Sequence, residues 1–75
     1  MGNVPRPSGK EMLRFLSRQG FELVRIQGSH HYFARDELHT SVPVHGNKNL
    51  KIGTLRGILR DIRMSSEEFR RLWQE

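Results

Sequence analysis

The apolar residues near the N-terminus follow the spacing of a helix. They recur at helical intervals: Met12, Phe15 and Leu16. Ser8 stands before them and Glu11 follows three residues later, which is the capping-box pattern of a helix start. Gly20 stands where a left-handed residue commonly ends a helix, so that Phe21 folds back over the last turn. The pattern therefore predicts a first helix from about Ser8 to Gln19.

Short β-forming stretches follow between Phe21 and Val44. They are rich in β-branched and aromatic residues: Phe21, Val24, Ile26, Tyr32, Phe33, Val42 and Val44. Gly28-Ser29 lies between two of these stretches and is typical of a two-residue hairpin loop. We predict a second turn from Asp36 to His39 and a third strand from Thr40 to Val44. Pro43 cannot donate a ladder hydrogen bond, which favours an edge position for that strand.

Two further helices are predicted after the strands. The first begins near Gly53, and four apolar residues recur along it at i, i+3, i+4 and i+7: Leu55, Ile58, Leu59 and Ile62. Residues 65–68 repeat the capping-box pattern before a short last helix, whose apolar face is Phe69, Leu72 and Trp73. The order α-β-β-β-α(-α) predicts a small α+β sandwich, with helices on one face of a three-stranded antiparallel sheet.

The length and composition indicate one small domain. We expect residues 1–7 to form a flexible N-terminal arm and residues 8–75 to form the domain. The 75 residues include no cysteine, which excludes disulfides and a Cys-ligated zinc site. There is neither a secretory signal nor a run of about 18 apolar residues. We therefore expect a cytoplasmic protein.

The charge balance points to a polyanionic partner. Thirteen Lys and Arg residues stand against eight Asp and Glu residues, a formal net charge of +5. An anionic membrane is disfavoured, because no basic amphipathic helix carries a Trp- and Phe-rich apolar face. A basic protein without such a partner remains the alternative at this point.

The hairpin loop decides which side chains share a face of the sheet. With Gly28-Ser29 as the loop, opposite residues point to the same side and neighbours along a strand to opposite sides. The predicted pairs are Gln27 with His30, Ile26 with His31, Arg25 with Tyr32, and Val24 with Phe33. Val24, Ile26 and Phe33 then form the face buried under the helices, with His31 at its rim. The other face is polar and open: Arg25, Gln27, His30 and Tyr32. A three-residue loop would exchange the two faces.

The open face carries residue types suited to RNA. Arg25 offers a cation for phosphate and Tyr32 an aromatic ring for base stacking. His30 carries an imidazole that transfers protons near neutral pH, as cleavage of an RNA strand requires. A merely solvated surface histidine is the competing interpretation. Metal binding is disfavoured, because His30 and His31 diverge to opposite faces while the other two histidines flank a separate strand.

Four blocks of sequence, taken in order, resemble the HicA (YcfA-type) family of mRNA interferase toxins. They are residues 20–25 (GFELVR), 28–31 (GSHH), 42–45 (VPVH) and 50–56 (LKIGTLR), the last followed by Ile58-Leu59. The similarity covers the chain from Ser8 to Trp73. It implies a fold like that of a double-stranded-RNA-binding domain, mRNA cleavage that halts growth, and a HicB-type antitoxin that covers the active face. It also implies that the histidine of the Gly-Ser-His block, His30, is catalytic.

The leading hypothesis is therefore an endoribonuclease of the hydrolase class, the toxin of a HicA/HicB-type toxin–antitoxin system. His30 is the expected general acid/base, with no metal and no small-molecule cofactor. The expected RNA contacts are Arg25, Gln27, Gly28, Ser29, Tyr32 and Lys51. The expected partners are mRNA and a HicB-type antitoxin, with no membrane. A non-catalytic double-stranded-RNA-binding module on the same fold is the alternative, and a protein-interaction module without RNA affinity is a third interpretation.

Overall fold

The fold is a three-stranded antiparallel sheet with helices on one face. A computed structural model describes residues 4–73. Its elements are, in order, α1 (Gly9–Arg18), β1 (Glu22–Gln27), β2 (His30–Arg35), β3 (Leu38–Pro43), α2 (Ile52–Asp61) and α3 (Ser66–Trp73). The strand order across the sheet is β1-β2-β3, so β2 is central. Both α1 and α2 pack on β3, and α1 also reaches β1. The predicted α+β order is confirmed.

One hydrophobic core fills the space between the helices and the sheet. Its members come from every helix and from two strands, with three residues of the connecting segments: Met12, Phe15, Leu16, Phe21, Phe33, Val42, Leu50, Leu55, Ile58, Leu59, Ile62 and Phe69. The Phe15 ring meets the Phe69 ring edge-on, with centroids 5.0 Å apart, and the Trp73 ring lies 5.5 Å from Phe15. The short last helix therefore closes the core. The predicted apolar stripes of the first two helices are buried, and in the last helix Phe69 is buried while Leu72 and Trp73 are partly buried against the core.

The two ends of α1 are fixed by the predicted residues. The Glu11 N–H donates to Ser8 Oγ at 3.2 Å and the Ser8 N–H donates to Glu11 Oε1 at 2.9 Å, a complete capping box. At the other end Gly20 has φ +88°, and the Phe21 N–H donates to the Leu16 carbonyl at 3.0 Å. This is the Schellman arrangement, and it turns Phe21 into the core.

α2 also ends in a Schellman arrangement, but its left-handed residue is Arg63 and not the glycine that would have predicted it. Arg63 takes φ +58°, and the Met64 N–H donates to the Leu59 carbonyl at 2.9 Å. Ser65 then caps α3, since its Oγ accepts from the Glu68 N–H at 3.0 Å. The reversal at Arg63 lets α3 turn back onto α1.

The β1–β2 hairpin has the predicted two-residue loop. Gln27 lies opposite His30 and Arg25 opposite Tyr32, as predicted. Gly28 takes φ +60° while Ser29 does not have a positive φ, the combination of a type II′ turn, which requires glycine at its first central position. The loop length therefore keeps the two faces as predicted from the turn to Arg25.

On the N-terminal side of Arg25 the predicted strand pairing of β1 is wrong, because the strand contains a bulge. Leu23, not Val24, pairs with Phe33, and Val24 is the extra residue between the paired positions. The predicted burial is also wrong, since the side chains of Val24 and Ile26 are 59% and 55% exposed. Val24 is exposed because the bulge takes it out of the alternation that leads to the buried face. Ile26 is exposed because the helices do not cover this part of the edge strand β1.

The third strand begins earlier than predicted. The turn occupies only residues 36 and 37, and Asp36 adopts φ +54°, a conformation that a short polar side chain tolerates. β3 therefore starts at Leu38, and His39 lies inside it, directly opposite Ala34. β3 ends at Pro43, one residue before the predicted end at Val44, and it lies at an edge of the sheet, as predicted.

The segment before α1 contacts the loop that leads to α2. Pro7 is buried, its carbonyl accepts from the Leu50 N–H at 2.8 Å, and an Arg6 guanidinium nitrogen lies 3.4 Å from the Leu50 carbonyl oxygen. Residues 1–3 of the predicted arm and residues 74–75 of the predicted domain lie outside the described residues. The flexibility of the arm stays a prediction. Between residues 4 and 73, the helices are all too short or too polar to span a membrane.

Candidate nucleic-acid interface and active site

The sheet presents one face to the helices and the other to solvent. We call the second the open face, and the strand pairing assigns to it Glu22, Arg25, Gln27, His30, Tyr32, Ala34, His39, Ser41 and Pro43. These side chains are exposed or half-buried, whereas Phe33, Thr40 and Val42 on the helix side are buried. The open face is thus a shallow polar surface backed by the hydrophobic core.

Three side chains form a row along the open face near the hairpin turn. The Arg25 guanidinium carbon lies 4.5 Å from the centre of the Tyr32 ring, within range of a cation–π contact. The His30 and Tyr32 ring centres are 6.5 Å apart and the rings are tilted by 38°. Arg25 and His30 are exposed, and Tyr32, which has a contact with each, is half-buried. A cation, an aromatic ring and an imidazole are therefore available to one ligand.

The hairpin turn fixes the position of His30. His30 directly follows the turn formed by Gly28 and Ser29, and Gln27 lies across from it. The Ser29 carbonyl accepts from the Val44 N–H at 2.8 Å, which ties the turn to the end of β3. The neighbouring His31 points to the helix side, where its Nδ1 lies 3.3 Å from the Ser29 carbonyl oxygen. The predicted divergence of the two histidines is present.

Lys51 lies apart from this row. It occupies the N-cap position of α2, is exposed and makes no capping hydrogen bond through its side chain. It lines a cavity of about 500 Å³ together with His45, Lys48 and Pro43. Because Pro43 lies directly opposite His30 in the sheet, this cationic cavity borders the open face at the end that carries His30.

His39 is a residue of the open face that the sequence reasoning assigned to a turn. In the structure it is exposed and lines a second cavity, of about 320 Å³, with Val24, Arg25 and Tyr32. The sequence could have predicted this position of His39. If the turn is limited to two residues, residues 38–42 (LHTSV) form a strand that alternates between the helix side and the open face.

The electrostatics of the chain suit an anionic ligand. The formal net charge is +5, and the cations near His30 are Arg25 on the open face and two lysines in the neighbouring cavity. Within residues 4–73, histidine and carboxylate side chains form no group of three or more that could hold a metal ion.

The sequence matches the profile of a known protein family. The sequence profile described as "HicA toxin of bacterial toxin-antitoxin" matches residues 9–64, from the start of α1 to just beyond α2. No curated protein sequence gives a significant match. The matched segment contains the whole sheet and the turn that presents His30, and it is well over half of the chain. The chain therefore belongs to the HicA family of toxins from bacterial toxin–antitoxin systems.

Proposed function

We propose that this chain is an endoribonuclease toxin that cleaves mRNA, with His30 as its general acid/base. The observation that carries the proposal is the exposed imidazole of His30 on the open face, in a row with Tyr32 and Arg25. Membership of a family of toxins supports it. The substrate is a polyanion, which the positive charge of the chain favours.

In the proposed reaction, the side chains of the row have different roles. When an oxygen attacks the scissile phosphorus, a P–O bond forms and the bond to the leaving oxygen breaks. His30 either takes the proton of the attacking oxygen, while water protonates the leaving oxygen, or gives a proton to the leaving oxygen, while water takes that of the attacking one. Either transfer contributes about 10²–10⁴ in rate. The Arg25 guanidinium offsets the charge that builds up on the phosphate oxygens. In this proposal no metal takes part.

The remaining predicted contacts hold the strand. A base stacks on Tyr32, and the amide of Gln27 hydrogen-bonds to ribose or phosphate beside His30. Gly28 and Ser29 keep the turn that presents the imidazole, and Lys51 binds a phosphate further along the strand from the adjoining cavity.

The toxin family implies an antitoxin partner. We propose that this partner is of the HicB type and covers the open face with an acidic surface. Arg25 and His30 are exposed in the isolated chain, so the same contacts that bind phosphate are accessible to carboxylates.

Expression in a bacterium tests the proposed function. Induction of the wild-type chain without its antitoxin is expected to stop growth and to shorten cellular transcripts, whereas the His30→Ala chain is expected to do neither. Growth curves and RNA blots measure the two effects. Equal and harmless growth of both strains, at equal protein levels and with RNA still bound, would favour the non-catalytic RNA-binding module instead.

The salt dependence of RNA binding tests the role of Arg25. Each phosphate contact with a single strand contributes about 0.7 to the slope of log affinity against log salt concentration. Arg25→Gln is therefore expected to lower that slope by about 0.7, measured by fluorescence anisotropy over a salt titration. Arg14→Gln, which removes an exposed cation from α1 on the helix side, is the matched control and is expected to leave the slope unchanged. Equal slopes for wild type and Arg25→Gln would remove Arg25 from the phosphate contacts.

A further inference from the structure

The cavity beside Tyr32 includes two exposed residues, Val24 and His39, that have no part in the proposed chemistry. It measures about 320 Å³ and is lined by Val24, Arg25, Tyr32 and His39, with Phe33 and Thr40 completing its lining. This volume is at the small end of the range for small-molecule sites, which suits one planar ring system. Tyr32 belongs both to this cavity and to the row that ends at His30.

The bulge in β1 gives the cavity its apolar wall. Without the extra residue Val24 would pair with Phe33 and point to the helix side. The bulge places it instead in the same cavity as Arg25 and Tyr32, where its side chain is 59% exposed. Bulges often redirect a side chain next to a functional site. Val24 therefore offers an exposed apolar contact beside an arginine and a tyrosine in the same cavity.

The composition of the cavity matches a nucleobase. Val24 and Tyr32 offer apolar and aromatic surface, and the imidazole of His39 offers both stacking and hydrogen bonding. The Arg25 guanidinium lies against the Tyr32 ring and supplies the charge that the phosphate attached to such a base requires. A protein side chain would meet the apolar wall equally well, but the net charge of +5 and the adjacent guanidinium favour a ligand that carries phosphate.

We infer that this cavity binds one unpaired nucleobase, so that the chain selects single-stranded RNA over double-stranded RNA. The inference rests on the proposed function and specifies its substrate. In a duplex the bases are stacked and paired, and side chains reach only the shallow minor groove and the 2′-hydroxyls. A base enters a cavity of this kind only after it leaves the stack, which costs least in a single strand. Because the Tyr32 ring lines this cavity and its centre lies 6.5 Å from that of the His30 ring, a nucleotide bound here is a neighbour of the proposed cleavage site.

A binding experiment with matched ligands tests this site. The full chain carrying His30→Ala is titrated against a labelled single-stranded RNA of about ten nucleotides, against the duplex of the same sequence, and against an abasic sugar–phosphate oligomer of equal length and charge. We expect the single strand to bind about tenfold more tightly than the abasic oligomer, because base stacking is lost in the latter. We expect the duplex to bind more weakly than the single strand.

Two substitutions on neighbouring positions of β1 locate the effect. Val24→Ser removes the apolar wall and is expected to weaken binding of the single strand about fivefold, while binding of the abasic oligomer is unchanged. Leu23→Ser is the matched control, because Leu23 is similarly exposed, at 48%, but pairs with Phe33 on the helix side. His39→Ala is expected to act as Val24→Ser does. Circular dichroism verifies that each variant is folded.

The outcomes separate this inference from the proposal on which it rests. Equal affinity for RNA and for the abasic oligomer, tighter binding of the duplex, or an equal loss in Leu23→Ser would overturn the base site and leave the ribonuclease proposal standing. If none of the three ligands bound to the chain, the ribonuclease proposal itself would be overturned.

Discussion

Replacement of His30 by alanine is expected to slow RNA cleavage by the purified protein about 10²–10⁴-fold, with little change in affinity for RNA. The magnitude follows from the loss of one positioned proton-transfer group. The affinity is expected to persist because the charge of Arg25 and the ring of Tyr32 remain. His30 is exposed and contributes nothing to the core, so the variant is expected to fold as the wild type does.

Single-turnover kinetics with protein in excess over a labelled RNA measure this effect, because they separate the chemical step from binding. His31→Ala is the matched control. It removes the same side chain at the next position, where the ring lies on the helix side near the Ser29 carbonyl. A loss of cleavage in His31→Ala equal to that in His30→Ala, or a His30→Ala protein that cuts at the wild-type rate, would contradict the assignment of His30.

Gly9→Ala is expected to lower the free energy of unfolding by about 1–3 kcal/mol, although alanine is the better helix former. A Cβ atom at Gly9 would lie 2.6 Å from the Pro43 carbonyl oxygen and 3.0 Å from the Val44 Cα. Both are backbone atoms, which cannot turn away as a side chain does. The helix therefore has to shift away from the end of β3. A shift of this cost is large, because the core of a domain of this size rarely supplies more than about 3–5 kcal/mol.

Urea denaturation followed by circular dichroism measures the change in unfolding free energy. Gly57→Ala makes the same substitution in α2, where a Cβ atom would meet nothing within 4 Å. That variant is expected to be more stable than the wild type by up to about 1 kcal/mol, from helix propensity alone. If the two substitutions changed stability in the same direction, close packing at Gly9 would not be the cause. Because Pro43 lies opposite His30, the Gly9 variant also tests whether this packing supports the candidate site.

The helices and the hairpin were predictable because their signals are local. A capping box, a left-handed glycine and a stripe of apolar residues each depend on side chains within a few positions of one another, and Ser8, Gly20 and the stripe of α2 all behave as predicted. The same holds for the placement of His30 and Arg25, since a two-residue turn fixes the pairing close to it.

The sequence predictions failed where the position of a side chain depends on contacts between elements, or on the addition of one residue to a strand. No residue type announces the bulge at Val24, and one extra residue is enough to move its side chain from one face of the sheet to the other. His39 was assigned to a turn because polar residues surround Asp36, whereas the turn closes over two residues. Both errors concern the cavity beside Tyr32, so this part of the candidate site was hidden from the sequence.

The residues of the candidate site lie on two strands that differ in how they are paired. β2 is hydrogen-bonded on both sides and carries His30 and Tyr32, whereas β1, which carries Arg25, is bonded on one side only and leaves apolar side chains in solvent. Local opening begins in segments with few neighbours and reaches a central strand last. In the proposed site, the imidazole of His30 therefore lies on the strand that is paired on both sides, and the guanidinium of Arg25 lies on a strand that is paired on one side. From this difference we expect the phosphate contact of Arg25 to adjust to RNA strands of different shape more readily than the position of His30 does.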